Sequence, residues 1–124
     1  MKITIIIEKT KTGYSAFSEK YPVYSVGKSL EELKNNISEA MILYFDENGK
    51  SGSGINLKFV FDLTQFFAFY RVINVKALSE RIGMNQSLLA QYIKGIKKPS
   101  AHQSKRIIQG VRQLGKELSE VEFK

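Results

Sequence analysis

Between Asn74 and Ser100 the chain reads NVKALSERIGMNQSLLAQYIKGIKKPS, where polar caps and glycines set the lengths of two short helices before any packing is considered. Asn74 can cap a helix over residues 75–82, with Ala77, Leu78 and Ile82 on one face. Gly83 ends it, because glycine adopts the left-handed conformation after a helix C-terminus at little steric cost. Asn85 can cap a second helix running to Lys94, and Gly95 stops that one. On the second helix, Leu89, Tyr92 and Ile93 point toward a small core, while Gln86, Ser87, Gln91 and Lys94 face outward. The spacing predicts a helix-turn-helix. Glutamine can make two hydrogen bonds to adenine and serine can bond donor or acceptor edges, so Gln86, Ser87 and Gln91 are the candidate DNA base-reading residues.

The charge is split along the chain. Residues 1–70 carry eight lysines and eight acidic residues, so they are neutral. Residues 71–124 carry eleven Lys/Arg against four Glu and hold the whole excess of +7. A basic half that coincides with a helix-turn-helix points to double-stranded DNA, since phosphate neutralisation supplies most non-specific affinity. Lys94, Lys97 and Lys98, at and just after the end of the candidate reading helix, and Lys105 and Arg106, early in the next one, are the candidate phosphate-binding residues.

The 43% of hydrophobic residues is enough for a core, and 124 residues allow one domain or two small ones. Cysteine is absent, which excludes disulfides and thiolate metal sites and fits a cytoplasmic protein. The opening apolar run MKITIII is ended by Glu8 and Lys9, too early for a signal-peptide core or a membrane span.

The first half predicts a small sheet with one helix. KITIIIE at 2–8 is short and β-branched, and the consecutive Ile5, Ile6 and Ile7 suggest a strand covered on both faces. Thr12-Gly13 offers a turn into a second strand at 14–17, and a third follows at 21–26, with Pro22 forcing an edge or irregular start. Ser29 and Glu32 form a capping box that opens a helix over 30–46, with Leu30, Leu33, Ile37, Met41 and Tyr44 as its buried stripe. Residues 55–62 then alternate as a half-buried strand, giving β-β-β-α-β with parallel or mixed pairing across the helix. From Leu63 the period becomes helical, which places the domain boundary at 62/63 and leaves almost no linker. Ser100 with Gln103 forms a further capping box for a long helix to about Leu118, striped by Ile107, Val111, Leu114 and Leu118. In the alternating tail SEVEF, Val121 and Phe123 are placed to pair or pack against another copy.

KITIIIEK and SLEELKNNISEAMILYFDE resemble the corresponding segments of the HicB family of bacterial antitoxins, and ALSERIG-MNQSLLAQYIKG-IKKPS resembles the phage-repressor-like (XRE/Cro-type) helix-turn-helix that some HicB proteins carry. The resemblance covers nearly the whole chain. It implies an α+β protein: a HicB-like, reduced RNase-H-like domain without nuclease activity over 1–62, then an all-α DNA-binding domain over 63–124. It implies a HicA-like RNA-cleaving toxin as partner and repression of the shared operon through operator DNA. It carries the DNA-reading positions onto Gln86, Ser87 and Gln91. The segment before the first helix is YPVYSVGKS, without the cysteine many members have there, and the first half is neutral where family members are often acidic. A homodimer or higher even oligomer is expected, because helix-turn-helix proteins bind paired half-sites. A stand-alone DNA-binding regulator without a toxin partner is the first alternative.

Other signals are weaker. Gly27-Lys28-Ser29 and Gly49-Lys50-Ser51 lack the earlier glycine of a phosphate-binding loop, those positions being Pro22 and Tyr44. His102 is the only histidine, and no cysteine accompanies it, so neither a zinc site nor a catalytic role is expected. The aromatic run FVFDLTQFFAFY fits a strand face and then a helix face, hence core rather than a base-stacking platform. A divalent-metal nuclease, the remaining alternative, would have to draw its carboxylates from Glu8, Glu39, Asp46 and Asp62, each explicable as a solvent-facing or capping residue. No enzyme activity, cofactor or metal is expected.

Overall fold

In a computed structural model that describes residues 1–52 and 54–124, the chain divides into two compact units, Met1–Phe69 and Tyr70–Lys124. Among the described residues these form a four-stranded sheet and five helices, a mixed α+β protein. The first unit contains β1 (Lys2–Lys9), β2 (Tyr14–Ser18), β3 (Tyr24–Gly27), α1 (Leu30–Glu47), β4 (Asn56–Phe61) and α2 (Leu63–Phe69). The second contains α3 (Val75–Ile82), α4 (Gln86–Ile93) and α5 (Ala101–Ser119).

The sheet order is β3-β2-β1-β4. Tight connections join β1, β2 and β3 in antiparallel fashion, whereas β4 returns parallel to β1 with Ile3, Ile5 and Ile7 opposite Leu57, Phe59 and Phe61. A parallel neighbour needs a crossover, and α1 supplies it. Ile3, Ile5 and Ile7 are buried against Leu33, Ile37, Met41 and Phe45 of α1, which recur every four residues as one stripe.

Two details of the expected packing change. Ile6 is only half-buried, because the α1 stripe closes the face that carries Ile3, Ile5 and Ile7 and leaves Ile6 on the other. The fourth stripe residue is Phe45, four positions after Met41, and Tyr44 lies half-buried beside it. Tyr21 packs on both rings, at 5.8 Å from Tyr44 and 5.0 Å from Phe45.

The third strand starts at Tyr24 rather than at residue 21. The Ser18 hydroxyl accepts hydrogen bonds from the Lys20 and Tyr21 amides, and the Ser18 amide donates to the Val23 carbonyl, so residues 19–23 are used in a turn. α1 opens on Ser29, whose hydroxyl accepts from the Glu32 amide at 3.1 Å, but the Glu32 carboxylate accepts from the Lys28 amide, one residue before the position a capping box uses. β4 alternates from Ile55 to Phe59 and then departs from the expected pattern, with Val60 half-buried and Phe61 exposed.

The boundary between the units lies after Phe69, not at 62/63, so α2 belongs with the sheet. Asp62 accepts from the Gln65 amide at 2.9 Å and caps α2. The Gln65 side-chain amide then pairs with the Lys9 backbone, accepting at 3.1 Å and donating at 2.6 Å, as a neighbouring strand would. The Lys9 ammonium lies over the Phe69 ring at 5.1 Å and over Tyr14 at 4.8 Å, while Phe61 and Phe66 stack edge to face. These contacts outweigh the change of hydrophobic period that suggested a new domain.

Gly27 sets how closely α1 approaches the sheet: a methyl group on its Cα would lie 2.5 Å from the Leu33 nitrogen and 2.7 Å from the Leu33 Cα. Backbone cannot rotate away as a side chain can. Gly27→Ala is therefore expected to destabilise the chain by about 1–3 kcal/mol, the usual range for overpacking, seen as a lower urea midpoint with an unchanged slope. An unchanged midpoint would show that α1 can shift without loss.

Candidate nucleic-acid interface

The second unit is built on two helix ends closed in the same way. Asn74 caps α3, its side chain accepting from the Ala77 amide at 2.9 Å. At the far end Gly83 takes φ 68°, ψ 33°, and the amides of Gly83 and Met84 donate to the carbonyls of Glu80 and Ser79. This pairing satisfies carbonyls that a helix end would otherwise leave open. The side chain after the glycine, Met84, turns inward and is 6% exposed. Asn85 then caps α4 by accepting from the Leu88 amide at 3.2 Å, so Gly83, Met84 and Asn85 form the whole connection.

The buried face of α3 carries Leu78 and Ser79, with Val75 and Ile82 half-buried. Ala77, expected on that face, is exposed, one position off the 75, 78, 79, 82 spacing. The Ser79 hydroxyl donates to the Lys76 carbonyl at 2.6 Å, which makes its burial tolerable. From α4, Leu89 and Tyr92 join this core and Ile93 is half-buried. Ile107 enters from α5, and Gly110 lets α5 lie directly against Ile82, whose side chain a methyl group there would strike. Leu118 does not continue the stripe: α5 has 19 residues against eight in each of α3 and α4, and Leu118 is exposed. The tail after it forms no strand, and Val121 and Phe123 are exposed.

Gln86 and Ser87 are exposed in the first turn of α4. Gln91 is half-buried, one turn along from Ser87, and Lys94 is exposed on the same side. Lys97 and Lys98 are exposed just beyond, and Lys105 is exposed on α5. These placements bring Ser87, Gln91 and Lys94 into one stripe, with Gln86 beside it.

Arg106 has a different occupation from the phosphate contact expected of it. One guanidinium nitrogen donates to the carbonyls of Ile82 and Gly83 at 2.8 and 2.9 Å, and another donates to Gln103. A cation at a helix C-terminus is favourably placed, so Arg106 acts as a cap on α3. The same bond diverts the Gln103 side chain from the capping box expected with Ser100, although the Ser100 hydroxyl still accepts from the Gln103 amide. Arg81 is likewise engaged, in a two-pronged ion pair with Glu117 at 2.8 and 2.9 Å that ties α3 to α5. Neither role has a local sequence signal, since the partners are 23 to 36 positions apart.

Asp62 caps α2, and among the described residues no group of three or more His, Asp or Glu is arranged to hold a metal ion. No helix among the described residues is long and apolar enough to cross a membrane. Comparison with protein-family models, with characterised proteins and with solved structures finds no match to this chain.

The Arg81 guanidinium, helped by a hydrogen bond from Gln113, holds the Glu117 carboxyl down from 4.5 to about 2. A depressed carboxyl stabilises the fold above its unfolded value and loses that contribution as it is protonated. The stabilisation from this pair is thus expected at pH 7 and should disappear as the pH falls from about 4.5 through 2. Comparing urea midpoints of the parent chain and Glu117→Gln across that range should show a gap at pH 7 that closes in acid. A gap independent of pH would mean that the pair contributes through packing alone.

Proposed function

We propose that this chain is a HicB-like antitoxin that reads operator DNA with α4 to repress its own operon and neutralises a HicA-like RNA-cleaving toxin through its first unit. The observation that carries the DNA half is the exposure of Gln86 and Ser87 at the start of a short capped helix whose other end leads into Lys94, Lys97 and Lys98. The first two present hydrogen-bonding groups matched to base edges in the major groove. The lysines present charge to the flanking phosphates. Support for the antitoxin half is the order β1-β2-β3-α1-β4 around a single crossover helix, together with the family resemblance of its sequence. The proposed assembly is an even oligomer that presents two reading helices to paired half-sites.

The binding test is anisotropy of labelled duplex from the region upstream of the gene, against a scrambled duplex, at about 150 mM salt, where the screening length is about 8 Å. Tight binding to the native duplex alone is expected, and equal weak binding to both would overturn autoregulation. Gln86→Ala is expected to cost about 1–3 kcal/mol on the native duplex and little on the scrambled one. Replacing Lys97 and Lys98 together by alanine should weaken both and flatten the dependence of affinity on salt by about two phosphate contacts. For the antitoxin half, the full chain should abolish RNA cleavage by a small ribonuclease encoded beside it, and undiminished cleavage would sink that assignment.

A further inference from the structure

The two helix ends of the second unit share one closure but treat the following side chain in opposite ways. At the end of α4, Gly95 has φ 77°, its amide donates to the Tyr92 carbonyl at 3.1 Å, and the Ile96 amide donates to the Gln91 carbonyl at 3.0 Å. This is the arrangement Gly83 and Met84 make at the end of α3. In such closures the residue after the glycine commonly packs back on the last turn of its own helix. Met84 is buried at 6% exposure, but Ile96 is 70% exposed. An isoleucine is thus held outward by a fixed backbone, between exposed Lys94 on one side and exposed Lys97 and Lys98 on the other.

We propose that Ile96 is an apolar contact with the sugar–phosphate backbone of duplex DNA, packing on deoxyribose while the adjacent lysines hold the flanking phosphates. The proposal rests on the DNA reading given above. The three lysines argue for this occupant. A protein surface without acidic groups would leave their charge unmatched, whereas the backbone of a duplex offers apolar sugar edges between closely spaced anions. A sugar contact adds affinity without releasing counterions and without reading sequence. It therefore differs from both the lysines and the glutamines in what it does to binding.

The test is anisotropy on the native and scrambled duplexes across a salt series, using the parent chain, Ile96→Ser and Ile96→Val. The Ile96 amide that closes the helix is kept in each, and the side chain is exposed, so thermal unfolding should be unchanged. Ile96→Ser is expected to weaken both duplexes by about tenfold with the salt slope intact, in line with loss of a partly buried aliphatic contact. Ile96→Val should restore most of the affinity. Unchanged affinity of Ile96→Ser, in a chain whose parent binds DNA, would overturn this contact and leave the DNA reading standing. Loss on the native duplex alone would overturn it in favour of a base contact. A change in oligomeric state by light scattering would overturn it in favour of a second copy. Failure of the parent chain to bind any duplex would remove the DNA reading and this contact together.

Discussion

Parallel pairing between the first strand and the last is the constraint on which the first unit depends. Adjacent antiparallel strands can be joined by a few residues, but β4 lies beside β1 in the same direction and must be reached by a crossover. That requirement makes α1 obligatory and places it across the sheet. Its four-residue stripe then meets Ile3, Ile5 and Ile7, and the absence of a side chain on Gly27 lets its first turn come close enough for that contact. Without the crossover, β4 could not pair parallel to β1 and the three isoleucines would lose the helix stripe that covers them. Sheet order, helix position and core are consequences of one pairing.

The second unit is stabilised differently, by satisfying helix ends. Two eight-residue helices and one long helix around a small core have little apolar area to bury. Capping by Asn74, Asn85 and Ser100, closure at Gly83 and Gly95, and the Arg106 guanidinium on the last carbonyls of α3 therefore matter more here than in a large domain. Gly110 adds close helix contact at the point where Arg106 and the Arg81–Glu117 pair bracket the same junction. The result holds α4 by its two ends and its inner face, with Gln86, Ser87 and Lys94 exposed on the outer one.

Features that are local in the chain were legible in the sequence. Caps and glycine stops involve residues three to five apart, and they gave α3 and α4 their limits to within a residue. The alternation and helical stripes gave the strand and helix order of the first unit. What escaped reading depends on distant partners. The allegiance of α2 is decided by Gln65 and Lys9, 56 positions apart, while the local pattern of α2 would suit either unit. Phe45 and Tyr44 are both compatible with the α1 stripe, and only the position of Tyr21 and the sheet selects Phe45 for full burial. In the candidate site, Gln86 and Ser87 were legible because they lie on a face defined by its own helix. The outward set of Ile96 was not, since the same glycine closure buries Met84 twelve residues earlier along the chain.

Arg106 also shows how a charge count misleads. In the sequence, every arginine and lysine of the second half weighs equally toward binding a polyanion. In the folded unit, Arg81 is paired with Glu117, and Arg106 keeps its charge but directs guanidinium N–H groups at the carbonyls of Ile82 and Gly83. Beyond these two arginines, the second half carries Arg71, Arg112 and seven lysines. Among them, Lys94, Lys97 and Lys98 are exposed within five residues of each other at one end of α4. Salt screens each exposed charge beyond about 8 Å, so charges grouped on a short segment act together more than an equal number scattered over the surface. The proposed contact with a nucleic-acid backbone rests on this grouping at the end of a helix with an open polar face, more than on the total of +7.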